Sequence, residues 1–213
     1  MPPELDQNAS GPNRSFCFLS YSRSSGSQYA MRFAHELTEE LSDLHPFAKN
    51  EEPVFFDQTE IDPGSKCTER LETGLSTSRV MVCLLSEHYF KSEYCGKEYQ
   101  TFLKRRDEYK TANALNETPG LIVPVLWLPE RFLGTRIPGV VSEIQYATKT
   151  WGEDYLNEGL LQLIKNYEKY STQYKDFRHE LAMHVCKCQE TMPCRISRHF
   201  KTSKQLKARL RIQ

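Results

Sequence analysis

Net charge is missing from this 213-residue chain: 28 Lys+Arg offset 28 Asp+Glu. The whole chain therefore lacks the basic excess of a nucleic-acid binder, and nucleic acid is not an expected partner. Long apolar runs are missing too. The longest, Leu121 to Leu128, is strand-length, well short of the roughly 18 residues a membrane-spanning helix needs, so no membrane partner is expected. Met1-Pro2-Pro3-Glu4 lacks the basic and apolar segments of a secretion leader. Seven cysteines cannot all pair, and most sit in apolar runs. That pattern points to reduced thiols and a cytoplasmic location, and it makes the sequons at Asn8, Asn13 and Asn116 chance matches. Several motifs are absent: Gly-x-Gly-x-x-Gly, the Gly-Lys-Ser/Thr phosphate loop, the Gly-x-Ser-x-Gly elbow and His-Glu-x-x-His. His35-Glu36 and His179-Glu180 have no second histidine at the required place. His184, Cys186, Cys188, Cys194 and His199 cluster in sequence, but Cys-x-Cys is tighter than zinc-pair spacing and the segment is basic. Unpaired cysteines are the simpler reading, so neither a metal nor a cofactor is expected.

The sequence does carry enough apolar residues, 38% against 26% charged, to build a packed core. Its charge is uneven. Residues 193–213 hold seven basic side chains and no acid, leaving 21 basic against 28 acidic in the rest. Such a segment can fold back electrostatically, dock a partner or stay loose, a solvated and partly disordered tail being the commoner case. Residues 1–14, rich in Pro, Asn and Gly, read as a disordered lead-in.

Between these ends, strand and helix patterns alternate. Phe16 to Tyr21, Val54 to Phe56, Val80 to Ser86 and Leu121 to Trp127 read as short buried strands, with a short fifth near Ile144 to Ala147. Pro124 places the fourth toward an edge or bulge. Tyr29, Phe33, Leu37 and Leu41 recur at helical spacing, and Ser65 can cap a helix through about Thr77. A long helix is expected from about Glu87 to Lys110, another over Tyr155 to Tyr167, and an added one carrying Tyr174, Phe177, Leu181 and Val185. The predicted fold is α/β: a flavodoxin-like parallel sheet of about five strands with helices on both faces, plus a C-terminal helical extension. The expected organisation is a lead-in over 1–14, one domain over 15–171, and extension plus tail over 172–213.

In such sheets ligands bind beyond the carboxyl ends of the strands where strand order reverses, here between the first and third strands. Those strands end at Ser20-Tyr21-Ser22-Arg23 and Leu85-Ser86-Glu87. The helix after the third strand begins beside that crevice and carries Glu98, with Tyr94, Cys95 and Phe102 as its i−4, i−3 and i+4 neighbours. A carboxylate within an apolar stripe breaks a local rule, and such breaks gather at functional sites. Partial desolvation would raise its pKa. On spacing alone, a half-exposed helix glutamate paired with Lys91 or Lys97 is the commoner case.

Three segments in order resemble the Toll/interleukin-1 receptor/resistance (TIR) domain family, in a form common in bacterial proteins. Phe18-Leu19-Ser20-Tyr21-Ser22 is similar to its first box. Phe56-Asp57 through Asp62-Pro63-Gly64 is similar to its BB loop, and Ser86 through Glu98 to its aromatic-Cys-x-x-Glu segment. The likeness spans roughly Ser15 to Ser171. The third-box Phe-Trp of animal adaptors is not evident, and Asp57-Gln58 stands where animal members often have Arg-Asp, so adaptor function is not implied.

The resemblance implies cleavage of NAD⁺ at the nicotinamide–ribose bond, in immune defence or effector signalling, with Glu98 as the catalytic residue. NAD⁺ would be substrate rather than cofactor, and the product ADP-ribose, a cyclic form or a base-exchange product. Candidate substrate-binding residues are Ser20, Tyr21, Ser22, Arg23, Phe56, Asp57, Ser86, Tyr94 and Cys95. Arg23 and the amides of Ser24 to Ser27 suit a pyrophosphate, while Tyr21 and Phe56 suit stacking on a base or plain core packing. Cys95 reads as packing rather than a nucleophile, having no histidine near it in sequence. Family members self-associate, often completing the site with a neighbour's BB loop, and a separately encoded sensor or partner protein would supply a trigger. The alternative is a non-catalytic TIR–TIR interaction module; nucleoside ribosyl transfer is a related enzymatic reading.

Overall fold

The computed structural model describes residues 14–57, 69–116, 120–133 and 149–190. Four strands form one parallel sheet: β1 (Arg14–Ser20), β2 (Glu51–Phe55), β3 (Val80–Leu85) and β4 (Ile122–Leu126), in the order β2-β1-β3-β4. Helices join them: α1 (Ser27–Leu44), α2 (Glu69–Thr77), α3 (Glu87–Lys91) and α4 (Glu93–Ala112). After β4 come α5 (Glu153–Glu158), α6 (Leu160–Lys165) and α7 (Tyr167–Glu190). This is the expected flavodoxin-like α/β fold with a C-terminal helix. The strand expected near Ile144 to Ala147, most of the lead-in, the Asp62-Pro63-Gly64 turn and the basic tail lie outside the described residues.

Strand chemistry explains the order. All six residues of β3, Val-Met-Val-Cys-Leu-Leu, are buried, as a parallel strand covered on both faces requires. Both strand prolines lie in the outer strands of the described sheet, where a missing amide is tolerated. Pro53 sits in β2, at one end of the strand order. On either side of β4, Leu121 accepts from the Met81 amide and Trp127 donates to Leu85, so odd-numbered residues bond toward β3. Pro124 therefore turns its nitrogen away from β3, on the same side as the Leu126 amide, which donates to the Tyr155 hydroxyl at 2.8 Å.

The long helix expected over Glu87 to Lys110 is two helices. Ser92 (φ −82°, ψ 117°) both ends α3 and caps α4. The helix expected over Tyr155 to Tyr167 is also divided. Gly159 (φ 76°) separates α5 from α6, and a Cβ there would lie 2.8 Å from the Leu128 carbonyl carbon, a position only glycine tolerates. α7 runs through positions 171 and 172 with a bend at Tyr170. Its Tyr174, Phe177, Leu181 and Val185 join the same buried cluster as the sheet.

Candidate active site

Two serine caps set the wall of the crevice. Ser86 accepts from the Tyr89 amide at 3.1 Å and starts α3. Ser92 accepts from the Cys95 amide at 3.3 Å and starts α4. Each satisfies an orphan amide of a helix N-terminus. The break between the caps re-aims α4 so that Cys95, Tyr99 and Phe102 point into the core. Glu98, beside that stripe, turns into a pocket of about 490 Å³ at the carboxyl ends of β1 and β3, within the usual range of small-molecule sites.

The Glu98 carboxylate accepts a 2.5 Å hydrogen bond from Ser20 Oγ. Ser20, 1% exposed, in turn meets the Tyr89 hydroxyl at 3.1 Å. Burial pushes the Glu98 carboxyl up to about 7, with Ser20 and Arg23 opposing and Asp57 adding to the rise. A glutamate titrating there is divided between its two forms at neutral pH. It is not paired with a lysine: Lys91 is bonded to Glu87 at 2.6 Å and Lys97 lies 3.9 Å from Glu93.

Most expected site residues converge on this pocket. Tyr21, Ser22, Arg23, Asp57, Tyr94, Cys95 and Glu98 all line it. Arg23 pairs with Asp57 at 3.3 Å across the opening, so its charge is already partly neutralised. Tyr21 stacks on Phe56 with centroids 4.7 Å apart. Burial raises the Tyr21 hydroxyl's pKa, against the pull of Arg23. Phe56 thus backs Tyr21 from the core and is absent from the lining. Ser86 is also absent; it is fully buried and its hydroxyl is engaged as the α3 cap. Tyr94 departs from the expected apolar stripe: it stands 40% exposed at the mouth. Cys95 donates its thiol to the Tyr21 carbonyl at 3.4 Å. Burial pushes that thiol up to about 12, which removes it as a nucleophile at neutral pH.

The turn bearing Arg23 is braced from below. Gly26 begins α1 in the left-handed region (φ 69°), and a Cβ there would meet Leu161 at 3.1 Å. The Trp127 indole donates to the Ser25 carbonyl at 2.9 Å, and the Ser25 amide donates to Ser22. Of the amides of Ser24 to Ser27 that suit a pyrophosphate, that of Ser25 is already engaged.

Sequence reasoning missed three side chains. His88 and Lys91 line the outer mouth because α3 is separate and presents positions i and i+3 together. Tyr89 lies behind Ser20. The available signal was the pair of Ser-x-x-x spacings at Ser86 and Ser92, each able to cap its own helix. Among the described residues, no three His, Cys, Asp or Glu side chains gather as a metal site; His184 meets Cys188 at 3.5 Å.

A parallel sheet ordered β2-β1-β3-β4, with a carboxylate in the crevice at its switch point, defines a flavodoxin-like α/β domain with a polar cleft. The model of the TIR domain family matches residues 17–164, and the chain belongs to that family. No match was found among curated proteins. Among solved structures, the TIR domains of the activated Roq1 resistosome, described as directly recognizing the pathogen effector XopQ, are similar at 17% identity. That match has a TM-score of 0.36 and covers 84% of this chain and 96% of that one. No helix among the described residues is long and apolar enough to cross a membrane.

Proposed function

We propose that this chain is an NAD⁺ nucleosidase that breaks the nicotinamide–ribose bond with Glu98 as its catalytic carboxylate. The observation that carries the reading is the Glu98 carboxyl, held by Ser20 at 2.5 Å within the pocket at the ends of β1 and β3. Ordinary glycoside hydrolysis needs a second carboxyl group to protonate the leaving oxygen. Here the leaving group is a pyridinium. When the C1′–N bond breaks, its electron pair neutralises the ring, and nicotinamide leaves without a general acid. A cationic ribose remains, and the Glu98 carboxylate stabilises it. Water then attacks C1′, and its proton passes to Glu98 and on to solvent. The products are nicotinamide, ADP-ribose and one proton. Attack by an adenine nitrogen in place of water would give a cyclic product.

The position of Glu98 suits this step. Its carboxyl titrates near 7 in the free site, so a bound cation favours ionisation at the place where charge develops. Arg23, beside Asp57 at the rim, is the candidate for the diphosphate. Tyr21, stiffened by Phe56, and the exposed Tyr94 are candidates for stacking on the bases. Activity in a cytoplasmic setting would rise with self-association, a neighbour or separately encoded partner closing the open mouth.

The test is nicotinamide release from NAD⁺ by wild type and Glu98→Ala, dilute and artificially multimerised, with thermal melting of both. Release by the wild type alone, with both proteins folded, supports the enzyme. Equal release by both folded proteins when multimerised overturns it and leaves a TIR–TIR interaction module.

A further inference from the structure

We propose that Tyr89 is a positioning residue for Glu98, acting through Ser20 along a buried chain of hydrogen bonds. The geometry is continuous. The Tyr89 hydroxyl lies 3.1 Å from Ser20 Oγ, and Ser20 Oγ lies 2.5 Å from Glu98. Ser20 is 1% and Tyr89 3% exposed, so the Ser20–Tyr89 bond is closed to water, while the half-buried Glu98 faces the pocket. Ser86 fixes the start of the chain by capping the Tyr89 amide.

Proton counting gives the chain a direction. An ionised Glu98 only accepts, so Ser20 donates its single proton to it. The proton between Ser20 and Tyr89 must then come from Tyr89. Each donation polarises the next, so the phenol strengthens the Ser20–Glu98 bond without touching the carboxylate. A protonated Glu98 can reverse the sequence and donate to Ser20. Ionisation thus turns over the whole chain, and loss of either hydroxyl favours the protonated form. This assigns Ser20 to holding the carboxylate rather than to contacting substrate.

Other groups face Glu98 from each packed element. Tyr21 and Arg23 follow β1, and Asp57 follows β2. Cys83 on β3 and Cys95 on α4 complete the set. His88, Lys91 and Glu93 stand further out along the pocket. The Cys95 thiol also reaches Ser20, and the Cys83 thiol reaches Tyr89.

The catalytic meaning of the chain rests on the NAD⁺-cleavage reading; its existence does not, and the experiment separates the two. The carboxyl resonances of ¹³C-glutamate-labelled protein are titrated, with Glu98→Gln identifying the Glu98 signal. Removing the charge-assisted bond in Ser20→Ala raises the Glu98 midpoint by about one pH unit. Tyr89→Phe, nearly isosteric, raises it by a smaller amount in the same direction. Ser20→Thr keeps the hydroxyl and titrates as wild type. The acid limb of kcat/KM for nicotinamide release moves with the midpoint, and kcat falls more than KM changes. A Glu98 midpoint unmoved in Tyr89→Phe overturns the proposal, and this variant decides the matter even if Ser20→Ala fails to fold. Shifted midpoints in proteins that release no nicotinamide, wild type included, keep the hydrogen-bond chain and overturn the enzymatic reading instead.

Discussion

Glu36 and Glu98 are the same side chain in two opposed environments. Glu36 lies on α1 facing α7. It accepts from the Tyr174 hydroxyl, from Arg32 Nε at 2.8 Å and from Arg178 Nη1 at 3.3 Å. One turn on, Glu40 accepts from Arg178 Nε at 3.0 Å and meets His179 Nδ1 at 2.8 Å. Burial works against the Glu36 charge, but these donors outweigh it and hold its pKa below the ordinary value. Glu98 meets one serine hydroxyl and no cation in contact, and burial wins. A carboxylate with all its partners in place is a strut joining two helices. One left short of partners beside a cleft keeps a raised pKa, as the proposed stabilisation of an incoming cation requires. The contrast lies in partner supply, since neither group is fully exposed.

The contrast breaks most sharply on activity. Glu98→Gln should lower nicotinamide release by at least about 100-fold, the scale of losing an electrostatic group at developing charge, while Glu36→Gln stays within about twofold. Parallel assays on the two variants, with melting curves, settle it. The pH profile comes next. In the proposed reaction the carboxylate is the active form, and kcat/KM reports the free enzyme. The rate constant should therefore fall about tenfold per pH unit below a midpoint near 7 and level off above it.

Stability should then separate the two glutamates in sign. A carboxyl raised from 4.5 to about 7 on folding imposes no cost below pH 4.5 and its full cost above 7. At about 1.4 kcal/mol per pH unit the cost is at most about 3.5 kcal/mol, so Glu98→Gln stabilises more at pH 8 than at pH 5. The Glu36 contribution is present above the ordinary carboxylate range and is lost as pH falls through its lowered value. Glu36→Gln should therefore cost about 1–3 kcal/mol at both pH values, since it strips donors of a charged partner. Urea unfolding at pH 5 and pH 8 reads both effects. The smallest effect belongs to Cys95. Its thiol, pushed up to about 12, should resist iodoacetamide at pH 8, and Cys95→Ala should alter nicotinamide release by less than about threefold; mass spectrometry and the same assay check these.

The cores of β1, β3 and β4 were legible because apolar runs of strand length leave few alternatives; of β2 only Val54 and Phe55 were, since its first three residues are Glu51, Glu52 and Pro53. The switch point followed from the alternation of strands and helices, and Glu98 was legible as a carboxylate out of place. The helix breaks were not read. Ser92 and Gly159 interrupt continuous helical periodicity, and periodicity alone does not register a cap or a positive φ. Nor was the partnership of Ser20 with Tyr89 visible, since 69 positions separate residues that only the β1–β3 pairing brings together. The roles of Phe56 and Ser86 depended on which way each side chain turned. A residue at a strand's end can face the crevice or the core, and composition does not choose between them.

The bond from Trp127 to the Ser25 carbonyl makes this chain its own optical instrument. The indole is buried and touches the backbone of the turn that bears Arg23, and the chain has only one other tryptophan, Trp151. In a Trp151→Phe background the remaining emission reports on that turn alone. A dinucleotide that displaces the turn would change the colour or intensity of the fluorescence, and occupancy could be followed without label or turnover.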